Sequence, residues 1–244
     1  MNMSEANKIL REIRKELKKN ADEKYRKSVH RFFKPDQEVK LLGVKTPVFR
    51  KITRKYFAAI KDRPKQEIFR LCEKLSESGY LEELGVAFDW AFRLRNTFEK
   101  KDFPVLESWL KKYVTNWGAC DNFCGRAMGH FIYQFPEYFP HVKKWAVSRN
   151  RWLRRASAVV LIYSIRKDKP LEPVFEIADI LLLDKDDMVQ KGYGWMLKVA
   201  SDREPNKVFD YVMKHKATMP RTALRYAIEK LSSDFKKQAM AKDQ

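Results

Sequence analysis

The sequence predicts an all-α protein, a single-domain, right-handed α-solenoid of stacked helical repeats with a concave basic groove. Three observations predict it. Apolar residues recur at helical spacing along nearly the whole chain, as in Ile9, Leu10, Ile13 and Leu17. Three bulky anchors, Trp117, Trp152 and Met188, open similar helices 35 and 36 residues apart. That is the period of a two-helix unit, which buries its apolar face only by stacking on its neighbours. Finally, only 8 Gly and 10 Pro occur in 244 residues, too few for the turn every ~8–12 residues that an all-β sandwich or barrel needs.

Taken in order, Ser4–Lys19 is the first amphipathic helix. Thr46-Pro47 opens the next: Thr46 is placed to accept an N-cap hydrogen bond, and Pro47 loses nothing by its missing N–H. Val48, Ile52, Tyr56 and Phe57 form its stripe, with Arg50, Lys51, Arg54 and Lys55 between. Pro64 starts a helix over Lys65–Ser78, which Gly79 ends. Helical patterns follow over Leu81–Arg95, Pro104–Val114, Asn116–Tyr133, Pro136–Ser148, Arg151–Arg166, Leu171–Leu182, Asp187–Ser201, Pro205–Lys214 and Pro220–Leu231. After each anchor, small residues line one helix face: Ala119, Gly125 and Gly129; Ala156 and Ala158; Gly192, Gly194 and Ala200. Arg221–Leu231 reads as a shorter fourth copy. The competing explanation is chance similarity among amphipathic helices. Short connections and the absence of a Gly/Ser-rich linker argue for one domain over 1–244, with N-terminal helices over 4–60 and repeat units over about 64–232.

Charge narrows the class of partner. With 51 Lys+Arg against 32 Asp+Glu the formal charge is +19, and such a surface draws polyanions by counterion release. The dull alternative is a basic protein with no polyanion to bind. A 13% aromatic content opposes disorder. No apolar run approaches the ~20 residues of a membrane span, and the stretch before Asn20 has no signal-peptide core. Three cysteines suit a reducing cytosol better than a disulfide framework. The expectation is a soluble, cytoplasmic protein without membrane partners, nucleoid-associated when bound to DNA.

Common catalytic signatures are missing: no phosphate loop ending in Gly-Lys-Ser/Thr, no His-Glu-x-x-His, no Gly-x-Ser-x-Gly and no Gly-x-Gly-x-x-Gly. Cys120 and Cys124 stand four apart with only His130 nearby, which suits burial better than a four-ligand zinc site. His30, His141 and His215 are scattered. Neither metal nor cofactor is expected, and nothing demands more than a monomer.

If the units stack, the residues three after each anchor, Cys120, Arg155 and Lys191, are expected to face one groove. Asp121 lies four after Trp117 and Trp195 four after Lys191, so each pair shares a helix side. The groove then holds two indoles, one carboxylate and at least two cations. A surface that only binds phosphate has no use for the acid. A carboxylate ~4 Å from a developing cation supplies about 4 kcal/mol at an effective dielectric near 20, about a thousandfold in rate if the charge appears only in the transition state. Tryptophan is the best ring for a cation. Cleavage of an N-glycosidic bond creates such a sugar cation, and an alkylated purine, already cationic, leaves without a general acid. Duller readings stand beside these: Trp117 and Trp195 as fillers between repeats, Asp121 paired with Arg126 or capping a helix, and Arg155 as one more solvated cation. Trp90, Trp109, Trp145 and Trp152 are assigned to packing.

Four motifs, in order, carry a specific resemblance: Leu42-Gly43-Val-Lys-Thr46-Pro47, Thr115-Asn-Trp117-Gly-Ala-Cys-Asp121, Trp152-Leu-Arg-Arg155-Ala-Ser and Val189-Gln-Lys191-Gly-Tyr-Gly-Trp195. From about Leu10 to Leu231 the chain resembles the AlkD family of DNA alkylation-repair glycosylases. The resemblance implies a HEAT-like repeat protein, metal-free and monofunctional, that hydrolyses the glycosidic bond of cationic N3- and N7-alkylated purines in duplex DNA without drawing the base into a pocket. Residue by residue it makes Asp121 the catalytic carboxylate, places Trp117 and Trp195 against the lesion and its deoxyribose, and gives Arg155 the phosphate backbone. Lys191, Lys198, Thr46 and Arg50 become further DNA contacts. The family usually reads Trp-x-Leu-Arg-Glu where this chain has Trp195-Met-Leu-Lys198-Val199. Lys198 keeps the charge but not the bidentate fork of an arginine, and the acid is absent. Some relatives lack the catalytic acid and bind DNA without cutting it, so a non-catalytic module for distorted DNA or a protein partner is the alternative. Retention of Asp121 with both tryptophans argues against it.

Overall fold

The computed structural model of the chain describes residues 3–37 and 39–241. It is all-helical, and the described residues contain no strand, only an isolated bridge between Lys40 and Tyr80. Contacts cluster into two compact units, residues 1–123 and 124–244.

The first unit holds α1 (Met3–Lys19), α2 (Glu23–His30), α3 (Thr46–Ala58), α4 (Lys65–Ser76), α5 (Leu81–Arg93), α6 (Phe103–Tyr113) and α7 (Trp117–Phe123). Ile13 and Leu17 of α1 are fully buried, as the stripe required, together with Ile52, Ile68, Leu75, Phe88, Trp90 and Trp109. Each such side chain contributes roughly 1.5–3 kcal/mol by leaving water. The Trp90 indole N–H donates to the Thr53 carbonyl at 3.1 Å, so the largest of them also leaves no polar group unpaired. Connections are fixed by charge: Arg14 of α1 pairs with buried Glu83 of α5 at 2.9 Å, and Lys65 pairs with Asp102 at 2.7 Å.

The second unit begins with a π-turn, Cys124–Met128, and continues as α8 (Gly129–Gln134), α9 (Phe139–Ala146), α10 (Arg151–Val159), α11 (Leu161–Ile165), α12 (Glu172–Leu181), α13 (Asp187–Ala200), α14 (Pro205–His215), α15 (Arg221–Ala227) and α16 (Ser233–Met240). Here the repeat is visible. Helix α13 packs between α10 and α15, while α9 pairs with α12. Asn150 caps α10 by accepting from the Trp152 N–H, and Asp186 caps α13 by accepting from the Met188 N–H. Ion pairs between Arg151 and Asp186 (2.7 Å) and between Arg154 and Asp184 (2.6 Å) tie one repeat to the next. The small-residue face has a steric cause at two of its glycines. A Cβ on Gly194 would lie 2.7 Å from that of Tyr226 and 2.8 Å from the Ala223 carbonyl, so glycine lets α15 reach α13. At Gly129 a Cβ would lie 2.8 Å from that of Tyr163.

Several boundaries differ from expectation. The helix expected over Asn116–Tyr133 is interrupted by the π-turn, and the one expected over Arg151–Arg166 divides into α10 and α11. Helices α2 and α16, short and strongly polar, carry too few apolar residues to announce themselves. Thr46 does not cap α3: Lys45 holds the cap position, no side chain bonds there, and Thr46 is already the first helical residue. Trp90, Trp109, Trp145 and Trp152 are buried as expected, and so are all three cysteines. No helix among the described residues is long and apolar enough to cross a membrane.

Candidate active site

Four of the candidate residues, Thr46, Arg50, Trp117 and Asp121, belong to the first unit. The loop that leads to Thr46 is built around a buried acid. Glu82 of α5 accepts the N–H groups of Leu42 (3.0 Å), Gly43 (2.8 Å) and Val44 (3.3 Å). Three donors on one carboxylate fix the loop as a turn facing α5. Gly43 has φ +83, and a Cβ there would lie 2.5 Å from the Asp22 carbonyl oxygen. The glycine in Leu42-Gly43-Val-Lys-Thr46-Pro47 is thus required twice, by its backbone conformation and by the approach of α2. Thr46 and Arg50 follow on exposed turns of α3.

Helix α7 carries the acid. Buried Asn116 starts it, its Oδ1 accepting the Ala119 N–H at 2.9 Å, so the cap of this helix is Asn116. Phe123, the last residue of α7, sits 4.4 Å from Phe88 between ring centroids and sets the helix against α5. Gly85 of α5 leaves room for Phe49 of α3 on one side and Asn122 of α7 on the other. As a result Thr46, Gly118 and Asn122 line one cavity of about 210 Å³. The structure therefore brings Thr46 beside the turn of α7 that carries Asp121.

On the adjoining face of α7, Trp117 and Asp121 lie one turn apart, both half-buried. The indole is held on two sides. Phe33 stacks on it at 5.1 Å and 22°, and its Nε1–H donates to the Phe32 carbonyl oxygen at 3.2 Å. A filler would be buried like Trp90; Trp117 is pinned at an edge that solvent reaches. Such an arrangement presents a carboxylate and the face of a fixed aromatic ring to a cation. Sequence reasoning missed Asn116, Phe32 and Phe33. Asn116 has a visible signal, a capping residue directly before a helical pattern. The phenylalanines have none, being remote in sequence from Trp117.

The second unit carries Arg155, Lys191, Trp195 and Lys198. Arg155 is 5% exposed, so it is not a solvated cation: its Nη1 donates to the Met188 carbonyl, and its stem lies against Gly192, where a Cβ would approach Cγ to 3.1 Å. Lys191 is half-buried and paired with Asp187 at 3.2 Å. Trp195 is half-buried one turn further along α13. Lys198 is held by Glu229 at 2.9 Å, its ammonium 5.5 Å from the centre of the Tyr226 ring.

One expectation is overturned. Cys120, placed in a groove by counting from the bulky anchors, is fully buried. Helices α7, α10 and α13 begin at Trp117, Arg151 and Asp187, 34 and 36 residues apart, so Trp117 and Trp152 are not equivalent. Counted from the helix starts, the fifth residues are Asp121, Arg155 and Lys191. The three charged candidates occupy one position of the repeat.

A model of the family described as DNA alkylation repair enzyme matches residues 13–231. The chain belongs to that family. Membership in this DNA alkylation repair family makes DNA repair its role and DNA its partner, in keeping with its charge of +19. Among solved structures the chain is similar to a "Predicted DNA alkylation repair enzyme from Enterococcus faecalis", with a TM-score of 0.76 over 88% of this chain and 98% of that one. At 15% identity that likeness concerns the fold. No curated protein matches the chain.

Proposed function

We propose that this DNA alkylation repair protein is a monofunctional glycosylase that hydrolyses the N-glycosidic bond of cationic N3- and N7-alkylated purines in duplex DNA. In this reading the C1′–N bond breaks, the purine leaves as a neutral base, and water supplies the new C1′–O bond. Asp121 stabilises the sugar cation and orients the water, whose proton passes to the carboxylate or to solvent. Trp117 offers its ring to the cationic lesion. Trp195 is assigned contact with the deoxyribose, and Arg155, Lys191, Lys198, Thr46 and Arg50 contact with the DNA backbone. The protein acts without metal or cofactor, as a cytoplasmic monomer.

The observation that carries the reading is the pinned indole with the half-buried Asp121 one turn away on α7. The test is release of 7-methylguanine and 3-methyladenine from methylated duplex, for the wild type and Asp121→Asn. The expected result is a loss of at least about tenfold in rate with affinity unchanged or higher, since the transition-state charge loses its partner while a charge repelling phosphate disappears. Equal rates remove Asp121 from catalysis. Salt-sensitive binding with no release from either form makes the protein a non-catalytic DNA-binding module.

A further inference from the structure

The fourth copy of the repeat, α15, carries none of the site residues described so far. Its cap position is held by Pro220, which makes no side-chain bond, so its register is counted from the helix start at Arg221. That count makes Arg225 the fifth residue, the position held by Arg155 in α10 and by Lys191 in α13. Contacts set the level of the helix. Gly194 of α13 approaches Ala223 and Tyr226, and the Lys198 ammonium reaches across to Glu229 and the Tyr226 ring. Helix α15 therefore runs beside the stretch of α13 that carries Trp195. Ala223, Leu224 and Ala227 are buried, while Arg221 and Arg225, one turn apart on one side of the helix, are both exposed. The other candidate cations of this unit are engaged: Arg155 with the Met188 carbonyl, Lys191 with Asp187 and Lys198 with Glu229. Among the described residues no carboxylate pairs with Arg221 or Arg225, and Glu229, one turn after Arg225, holds Lys198 instead.

We infer that Arg221 and Arg225 carry the backbone contacts of the bound duplex one repeat further, gripping phosphates on one flank of the damaged nucleotide. The inference rests on DNA as the partner and on the register of the repeat; the glycosylase reading enters only where base release is measured. Both guanidiniums are planar donors without a protein counter-charge, and such a fork matches phosphate oxygens two at a time. Packed helices stand ~8–10 Å apart and the duplex rises ~3.4 Å per base pair, so α15 meets phosphates about three base pairs from those met by α13. Contacts of this kind carry no sequence information and leave the base stack intact. What they add is register: they fix where along the duplex the residues of α13 come to rest.

The test uses a duplex with a central tetrahydrofuran site, which cannot be hydrolysed. The same duplex is also trimmed, on one side or the other, to about two base pairs beyond that site, short of the reach of α15. Wild type is compared with the double variant Arg221→Gln/Arg225→Gln. Lys207→Gln/Lys214→Gln, which removes the same charge from exposed positions of the neighbouring α14, is the control. Thermal melts show that these exposed substitutions leave the fold intact. On the full duplex the arginine variant should bind about tenfold more weakly, and its slope of log affinity against log salt should flatten by about 1.8, two phosphates at ~0.9 each. The lysine variant should stay within about twofold of the wild type. Trimming one flank should erase the difference between arginine variant and wild type, and trimming the other should preserve it. On duplex containing 7-methylguanine the arginine variant should raise KM and keep kcat, the mark of binding lost equally from ground and transition states. The inference is refuted by an arginine variant that binds like the wild type, by a deficit that both trims treat alike, by an equal loss in the lysine variant, or by a fall in kcat. If the wild type releases no base, the glycosylase reading fails, while affinity, salt slope and trimming still decide whether the arginines hold the backbone.

Discussion

Replacing Gly43 by alanine tests whether the loop before α3 is as tightly specified as it looks. Its φ of +83 lies in the left-handed region, which costs an L-residue roughly 1–2 kcal/mol. The new Cβ would lie 2.5 Å from the Asp22 carbonyl oxygen, 2.7 Å from the Arg26 Cβ and 2.9 Å from the Arg26 Cα. Two of these three are backbone atoms of α2 and its cap, so relief requires moving a helix, and overpacking of this kind costs about 1–3 kcal/mol. Moving it also stretches the bond from the Asp22 N–H to the Gly43 carbonyl, now 3.2 Å. The expected loss is about 2–5 kcal/mol, read as a fall in the urea midpoint without a change in slope. Gly125→Ala is the internal control. Nothing lies within 4 Å of a Cβ there and the backbone is helical, so that variant should be neutral or gain up to about 1 kcal/mol. A Gly43→Ala protein that loses less than about 1 kcal/mol would refute the account of the loop.

Two further predictions concern charge. Glu16 accepts from Lys55 Nζ at 2.6 Å and from the Tyr56 hydroxyl at 2.9 Å, and the Lys55 bond above all holds its carboxyl below the usual range. A lowered folded pKa adds stability above the unfolded value and loses it as pH falls through the folded one. Glu16→Gln should therefore cost about 0.5–1 kcal/mol near neutrality, and the difference should vanish in acid. In the same variant the Tyr56 phenol, pushed up to about 12 by burial and then by Glu16, should ionise at lower pH in a spectroscopic titration. Glu229→Ala frees Lys198 from its 2.9 Å partner and should strengthen DNA binding. If Lys198 then reaches a phosphate, the slope of log affinity against log salt steepens by about 0.9; an unchanged slope removes Lys198 from the DNA contacts.

Where a sequence signal is local, the structure follows it. The stripe of α1, the Pro47 start of α3 and the Gly79 stop after α4 each depend on a few neighbouring residues, and each appears where periodicity and turn chemistry put it. The polar helices α2 and α16 lack that local signal; α2 packs by way of Gly43, a constraint written in another segment. The same limit governs the site. That Asp121 and Trp117 share a helix side follows from spacing alone. That Trp117 is pinned by Phe32 and Phe33 follows from a loop remote in sequence, and no pattern within α7 contains it.

The misplacement of Cys120 shows which signals set the register of a repeat. Tryptophan and methionine align by size, yet bulk only reports that a position fills space, and neighbouring positions on a helix can exchange that duty. A cap has no such latitude, because its side chain must reach an N–H two or three residues on. Asn116, Asn150 and Asp186 all meet that condition, with bonds of 2.9, 2.8 and 2.9 Å. Counting from them gives Cys120 the repeat position of Arg154 and Gln190, and gives Asp121 that of Arg155 and Lys191. A repeat position that is cationic in two copies and anionic in one is poorly explained by attraction to phosphate, which would favour a cation in all three. The exception falls where a fixed indole stands one turn away, so the departure from the repeat marks the residue most worth mutating.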